Sequence, residues 1–252
     1  MKVELVSFTP DAMTLLLKTK NTRLTYDDDP AGWSEEKRQE HINYVRDSIR
    51  SSLEFVDYTF LISGVTRAFT HQLVRTRTGS YAQQAMRVVD ARNQPVDVPP
   101  SISDEPEWAQ VWANGVSSSL EAYGELVDLG APIQDARGLL PTNVTTNIMG
   151  KFNLHTLSDM AKLRLCTRTQ GEYQNVFREM RSLVIKEHPW AEPFLEVHCV
   201  AMGTCCFPRY GKAECPIYDP AMDNTAVREV ARAKFWSTRH EAAPVAKDGI
   251  AQ

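Results

Sequence analysis

The spacing of apolar positions switches repeatedly between two and three-to-four along this chain, so strands and helices are interleaved in one polypeptide. Val3 to Phe8 alternates apolar and polar side chains, as a half-buried strand does. Thr9-Pro10-Asp11 then reads as a helix start, with an N-cap hydroxyl, a proline at the first helical position and an early acid. Asp27 to Gly32 reads as a polar loop, and Ser34 as the cap of a second helix reaching about Ser51, with Ile42, Val45 and Ile49 on one face. Phe55 to Ile62 predicts a strand that ends at Ser63-Gly64. A helix from Val65 to about Val74 follows, then a loop from Thr76 to Ala85 held by Gly79, and a Pro- and Asp-rich surface connection from Asn93 to Pro106.

Trp108, Val111, Trp112, Val116, Leu120, Tyr123, Leu126 and Val127 recur at helical spacing before Gly130 stops the pattern. Such a stripe is expected to face the core, with both tryptophans packed there. Ala131-Pro132 opens a short helix to Arg137, and the β-branched run Thr142 to Phe152 reads as a strand. Asn153 begins a helix with Leu154, Leu157, Met160 and Leu163 inward, and another runs from about Thr169 to Glu187. Beyond Pro189 the pattern is irregular, with a short helix from Thr225 to Trp236 in a loose tail. With no internal repeat and no linker, residues 1 to 220 are expected to form one domain and residues 221 to 252 a C-terminal helix and tail.

Composition narrows the function. The 252 residues are 42% hydrophobic and 24% charged, ordinary for a soluble globular protein. The net charge of −4 argues against a nucleic-acid-coating protein, so no nucleic-acid partner is expected and any basic site must be local. No apolar segment approaches the roughly 20 residues that cross a bilayer. The N-terminal stretch M-K-V-E-L-V-S-F-T-P-D lacks the apolar core of a signal peptide. No membrane association is expected, and a cytoplasmic location is. The cysteines number five, an odd set that suits reduced thiols. Cys199, Cys205, Cys206 and Cys215, with His198 alongside, could supply zinc ligands but lack the C-x2-C knuckle. Incidental thiols are the preferred reading and no metal is assigned. Neither G-x-G-x-x-G, a P-loop nor H-E-x-x-H occurs.

The densest chemistry lies between Thr66 and Arg87, where Arg67, His71, Arg75, Arg77 and Arg87 occur without one Asp or Glu. Like charges repel most where water is excluded, so this run is either a solvated basic face or an anion pocket. Guanidinium forks grip phosphate bidentately, and Gln72, Gln83 and Gln84 could pair with the edge of a heterocycle. A second cationic stretch, Leu163 to Glu172, places Arg164 and Arg168 four apart. Glu172, four further on, would offset Arg168 and leave Arg164 free for an anion. Arg137 in A-R-G-L-L-P is a third group.

The stretch Gly64 to Arg87, G-V-T-R-A-F-T-H-Q-L-V-R-T-R-T-G-S-Y-A-Q-Q-A-M-R, resembles the signature of flavin-dependent thymidylate synthases. The resemblance extends to S-S-L-E-F at 51 to 55, A-R-G-L-L-P at 136 to 141, N-L-H at 153 to 155 and L-R-L-C-T-R-T-Q-G-E at 163 to 172. Even the cysteine tail is similar to that of some members. What the resemblance implies is an α/β (α+β) fold with a mixed sheet flanked by long helices. It also implies a homotetramer whose active sites form where subunits meet, each with FAD. The implied reaction methylates dUMP to dTMP, with methylenetetrahydrofolate as carbon donor and reduced FAD, regenerated by NADPH, as hydride source. The nucleotide would be held by Gln72, Leu73, Val74, Arg75, Gln83, Gln84, Ala85, Met86, Arg87, Arg137 and Arg164. Arg164 is also the implied catalytic residue. Flavin would be held by Ser51, Arg75, Thr76, Arg77, Gln83, Asn153, Leu154, His155 and Asp159. Thr76 stands where the family has the His of its Arg-His-Arg motif, Phe55 where it has a His, Ala82 and Ala85 where it has serines, Val88 a tyrosine, Gly171 a tryptophan and His155 an arginine. Those departures leave open C5 methylation or hydroxymethylation of another pyrimidine nucleotide such as dCMP, or a non-catalytic nucleotide-binding relative.

Overall fold

The strongest alternation in the chain builds the sheet at its centre. In the computed structural model, which describes residues 1–24, 29–48 and 50–218, strand β2 (Asp57–Thr66) pairs antiparallel with β1 (Lys2–Phe8) and with β4 (Thr145–Asn153). A four-residue edge strand, β3 (Ser80–Gln83), pairs with β4 and completes the order β1-β2-β4-β3. All three named pairings are antiparallel, so the α+β class holds while the sheet is not mixed. One face carries Tyr58, Phe60, Ile62, Ile148 and Phe152, all buried. The residues between them, such as Leu61, Met149 and Lys151, point to a more open face.

Helices cover the buried face. From the N-terminal half, α1 (Ala12–Leu24) and α2 (Glu35–Ser48) contribute Leu16, Leu17, Ile42 and Val45. From the C-terminal half, α7 (Leu154–Arg164) and α8 (Gly171–Glu187) contribute Leu157, Met160, Tyr173, Phe177 and Met180. Two short helices, α9 (His198–Met202) and α10 (Pro208–Glu214), follow. Between β2 and β4 the chain passes through α3 (Arg67–Leu73), α4 (Pro100–Ser103), α5 (Pro106–Asp128) and α6 (Ile133–Ala136).

Several boundaries differ from the sequence expectation for identifiable reasons. Thr9 does not cap α1, because β1 continues into it: Thr9 N donates to Asp57 O at 3.0 Å and Asp57 N to Thr9 Oγ1 at 2.8 Å. Asp11 takes φ 45°, and its carbonyl receives Leu15 N at 3.1 Å. β2 runs two residues past Gly64, whose φ of 65° accommodates a register shift between Ile62 and Val65. β3 lies where a loop was expected, since four residues are too few to show a period. Leu163 is 37% exposed rather than inward.

The largest correction concerns α5. Of its apolar stripe only Tyr123 is buried, while Trp108, Val111 and Leu126 are exposed. The helix rests chiefly on α4, α6 and the 3-10 turn Arg137–Leu139, over a small cluster of Ala91, Tyr123 and Ala136. Helical spacing was read correctly, but the partner of the stripe is not the main core. Part of the Asp27 to Gly32 loop, Ile49 and the Thr225 to Trp236 helix lie outside the described residues.

Candidate functional site

Two side chains fix where the cationic run begins. Thr66 caps α3, its Oγ1 accepting from Phe69 N at 3.0 Å. Glu172, in the first turn of α8, fastens that cap: Oε1 accepts from Thr66 N at 2.7 Å and Oε2 from Thr66 Oγ1 at 2.5 Å. Glu172 therefore does not offset Arg168. Arg164 ends α7 and α8 starts only at Gly171, so the four-residue spacing does not place Arg164 and Arg168 on one helix face. Arg168 lies instead over Phe207 at 4.1 Å and Tyr210 at 5.3 Å.

Past Val74 the chain folds into a tight turn that presents Arg75, Thr76 and Arg77. Thr76 N donates to Leu73 O at 3.0 Å and Gly79 N to Thr76 O at 3.1 Å. The Tyr81 hydroxyl braces the turn, shared between Leu73 O at 3.0 Å and Thr76 O at 2.7 Å. Burial pushes that phenol up to about 12, so it stays a donor. A Cβ on Gly79 would lie 2.6 Å from Tyr81 Oη and 2.7 Å from Phe152 Cε1, which explains the glycine. Thr156 Oγ1 donates to Thr78 Oγ1 at 3.0 Å and ties the turn to the start of α7.

At the other end of α7, the Arg164 guanidinium lies 4.4 Å from the ring centroid of Tyr173. Tyr173 is fully buried and meets Phe69 edge-on at 5.0 Å and 88°. Burial raises its phenol, while Arg164 and Thr76 act in the opposite direction. These groups are near neighbours, yet the Tyr173 hydroxyl makes no hydrogen bond. Gln72 Nε2 donates to Gln170 Oε1 beside them. Arg75, Arg77 and Arg164 have no carboxylate at ion-pair distance among the described residues. A cavity of about 360 Å³ opens here, lined by Gln72, Arg164, Arg168, Gln170, Phe207 and the cysteines, among others.

A second cationic group forms around Arg67, Arg87 and Arg137. Arg67 Nη2 donates to Gln84 O at 2.6 Å, and its Nε is buried without a partner. Burial first, and then the nearby Arg137, lower its proton affinity. Arg87 Nη2 donates to Gln134 Oε1 at 3.1 Å, and Gln83 Nε2 to Thr70 Oγ1 at 2.8 Å. Gln84, Ala85 and Met86 line a small cavity beside Arg67, of about 10 Å³.

The third group surrounds the start of α7. Asn153 caps it, Oδ1 accepting from Thr156 N at 2.8 Å. His155 lies 3.3 Å from Glu54 and 3.7 Å from Asp159, which also receives Arg50 at 2.8 Å and Lys162 at 3.1 Å. Burial pushes the Asp159 carboxyl up, but the Arg50 hydrogen bond and Lys162 outweigh it and leave it below its usual range. Ser51 accepts from Arg23 Nη1 at 2.5 Å. Leu73 and Leu154 are fully buried in the core, so only their backbone is available to a ligand.

The chain thus brings Gln72, Thr76 and Arg164 together, and separately Gln84, Arg67, Arg87 and Arg137. Neither of the two cavities described is lined by both Arg164 and Arg137. Sequence reasoning missed Tyr173, Gln170 and the Glu172 clamp. Their partners are distant in sequence, and nothing in the local pattern marks them.

A family model described as thymidylate synthase complementing protein matches residues 4–190. The flavin-dependent thymidylate synthase of Sulfurisphaera tokodaii is 33% identical over 210 residues, covering 79% of each chain. That of Pyrococcus horikoshii is 32% identical over 226 residues, covering 81% of this chain and 89% of its own. Among solved structures, a UMP/dUMP methylase PolB from Streptomyces cacaoi bound with 5-Br dUMP superposes with TM-score 0.66 at 20% identity, covering 77% of this chain and 93% of its own. At that identity the likeness speaks for the fold.

Proposed function

The chain belongs to the flavin-dependent thymidylate synthase family, and from that premise we propose that it methylates dUMP at C5 to give dTMP, with FAD as cofactor. Methylenetetrahydrofolate would supply the carbon and NADPH the reducing equivalents. The observation that carries this reading is the unneutralised Arg164 guanidinium, stacked on Tyr173 beside the amides of Gln72 and Gln170. A fixed cation there lowers the cost of negative charge on a pyrimidine ring as N3 ionises, and that charge makes C5 more nucleophilic. The amides, which bond each other in the free chain, would pair with the edge of the base. Arg87 and Arg137, with Arg75, would grip the phosphate bidentately.

The residues present fit a flavin. Arg75 and Arg77 face no carboxylate among the described residues, and their turn is tied through Thr78 to the first turn of α7. Arg75, Thr76, Arg77, Gln83, Asn153, His155 and Asp159 would hold it, with Ser51 at the margin. FAD, when bound, supplies the hydride that completes the methyl group. The chain's own part is to orient the nucleotide, exclude water and hold Arg164 rigid. Neither of the two cavities described is lined by both Arg164 and Arg137, and a homotetramer whose sites form between subunits would bring copies of the two arginine groups together.

The test is a product assay. Purified protein is incubated with FAD, NADPH, methylenetetrahydrofolate and either dUMP or dCMP, and the nucleotide product is weighed by mass spectrometry. A gain of one methyl on dUMP is the expected result. A methyl or hydroxymethyl gain on dCMP alone would move the activity to another pyrimidine. No product from either, together with a preparation that FAD cannot turn yellow, would leave a nucleotide binder.

A further inference from the structure

Arg67 opens α3 as a half-buried residue whose backbone is pinned just ahead of β4, Arg67 N donating to Val144 O at 3.1 Å. Its side chain therefore leaves from a fixed base. Nη2 holds the carbonyl of Gln84 at 2.6 Å, while Nε is buried without a partner. The Thr146 hydroxyl on β4 is also buried without a hydrogen bond, in a residue only 3% exposed. Both residues line the cavity of about 10 Å³ that Gln84, Ala85 and Met86 share, and Arg67 is the one charged side chain lining it among the described residues. We propose that Arg67 is a phosphate-recognition residue of the nucleotide site, completing a group of guanidinium donors with Arg87 and Arg137 around a phosphate monoester. The inference rests on the reading that the loop Gln84 to Arg87 meets the nucleotide.

Charge decides between an anion and a water. A cavity of that size holds about one water, and one water could serve both Arg67 Nε and the Thr146 hydroxyl. Being neutral, it would leave the guanidinium charge uncompensated. Burial first, and then Arg137, oppose that charge, and no carboxylate stands at ion-pair distance from Arg67, Arg87 or Arg137 among the described residues. Arg92 gives the contrast: Asp90 at 2.7 Å and Asp128 at 3.0 Å neutralise it. A half-buried cation held near a second cation is costly unless an opposite charge arrives. A phosphate supplies that charge and offers oxygens that a guanidinium fork can grip. The phosphate is too large for the cavity, so it would stand at the mouth, against the Gln84–Met86 edge, with the water behind it. Ala85 carries no hydroxyl where the family has a serine, which leaves Arg67 as the charged donor behind this loop.

The experiment uses the full-length protein without flavin or folate, so its outcome does not depend on turnover. Inorganic phosphate is followed by the unfolding midpoint at constant ionic strength, and dUMP and deoxyuridine by calorimetry. The unmodified chain is compared with Arg67→Gln, Arg67→Lys and Arg92→Gln. Phosphate should raise the midpoint of the unmodified chain and of Arg92→Gln, but not that of Arg67→Gln. Arg67→Gln should also weaken dUMP binding by about ten-fold or more while leaving deoxyuridine unchanged. Arg67→Lys keeps the charge without the fork and should recover part of the dUMP affinity, which a general loss of folding would not allow. Unchanged dUMP affinity in Arg67→Gln would overturn the proposal. So would equal losses for dUMP and deoxyuridine, which would reduce Arg67 to shaping the loop, or an unmodified chain that phosphate does not stabilise. Phosphate binding that depends on Arg67, together with an empty product assay, would uphold this inference and sink the proposed reaction instead.

Discussion

At the scale of single residues, Arg164 and Tyr173 would divide one task in the proposed reaction. The guanidinium supplies charge, and the buried ring fixes where that charge sits. Arg164→Ala should abolish turnover while changing stability by no more than about 1 kcal/mol, because a stacked, partly exposed cation contributes little to folding. Arg164→Lys should recover little activity, since an ammonium cannot lie flat on a ring as a guanidinium does. Tyr173 allows a finer separation. Tyr173→Phe removes a buried hydroxyl that has no partner and should leave the unfolding midpoint equal or higher. Tyr173→Leu removes the platform, and should cost about 2–4 kcal/mol of stability along with most of the turnover. His188 gives a pH prediction. It is buried, and its Nδ1 shares a hydrogen bond of 2.8 Å with the Tyr58 hydroxyl. Burial holds its pKa below the usual range, with Glu187 opposing weakly. Its contribution to stability is therefore full above the unfolded-state value of about 6.5 and is lost as pH falls below it, because the unfolded chain then binds the extra proton. Thermal unfolding followed from pH 8 to pH 5 should show a declining midpoint, and His188→Gln should flatten that decline.

At the scale of elements, the Glu172 clamp joins the start of α8 to the cap of α3, and so joins the two segments that carry Gln170 and Gln72. Glu172→Ala removes two charge-assisted hydrogen bonds and leaves the buried Thr66 amide unpaired. A loss of about 2–3 kcal/mol is expected in denaturant titration, with a raised KM for nucleotide. Glu172→Gln, which keeps one acceptor, should fall between the two. Legibility in the sequence follows from how local each signal is. Asn153 and Ser34 were readable as caps because the amides they bind lie three residues on. Thr9 misled because its hydroxyl serves a strand partner forty-eight residues away. β3 was missed because its order comes from pairing with β4 rather than from its own pattern. The arginines of the candidate site were legible as a run without acids, but not their division into two groups. Tyr173, the Thr78–Thr156 link and the Glu172 clamp were not, since each exists only after folding brings distant segments into contact.

At the scale of the whole molecule, α5 is the feature that the single chain leaves unexplained. Its 23 residues extend about 35 Å, with Trp108, Val111 and Leu126 on the surface and the Trp112 indole N–H buried without an acceptor. An amphipathic helix of that length with so little of its stripe covered would offer the proposed assembly an association surface. The proposed homotetramer would supply a second copy of the same chain as its occupant: neither of the two cavities described is lined by both Arg164 and Arg137, and closed symmetric assembly would place copies of them together. A stable interface covers upwards of about 1,000 Å² in total, so one charge at its centre is enough to break it. Val111→Glu should convert the protein from an oligomer to a smaller species in light scattering. The core below the sheet does not involve Val111, so the far-ultraviolet circular dichroism of the dissociated chain should remain that of a folded protein. If sites are shared between copies, the same variant loses turnover although every candidate catalytic side chain is intact, and mixing it with Arg164→Ala restores nothing. A fully active Val111→Glu monomer would instead place the complete site within one chain, and the two arginine groups would then have separate tasks.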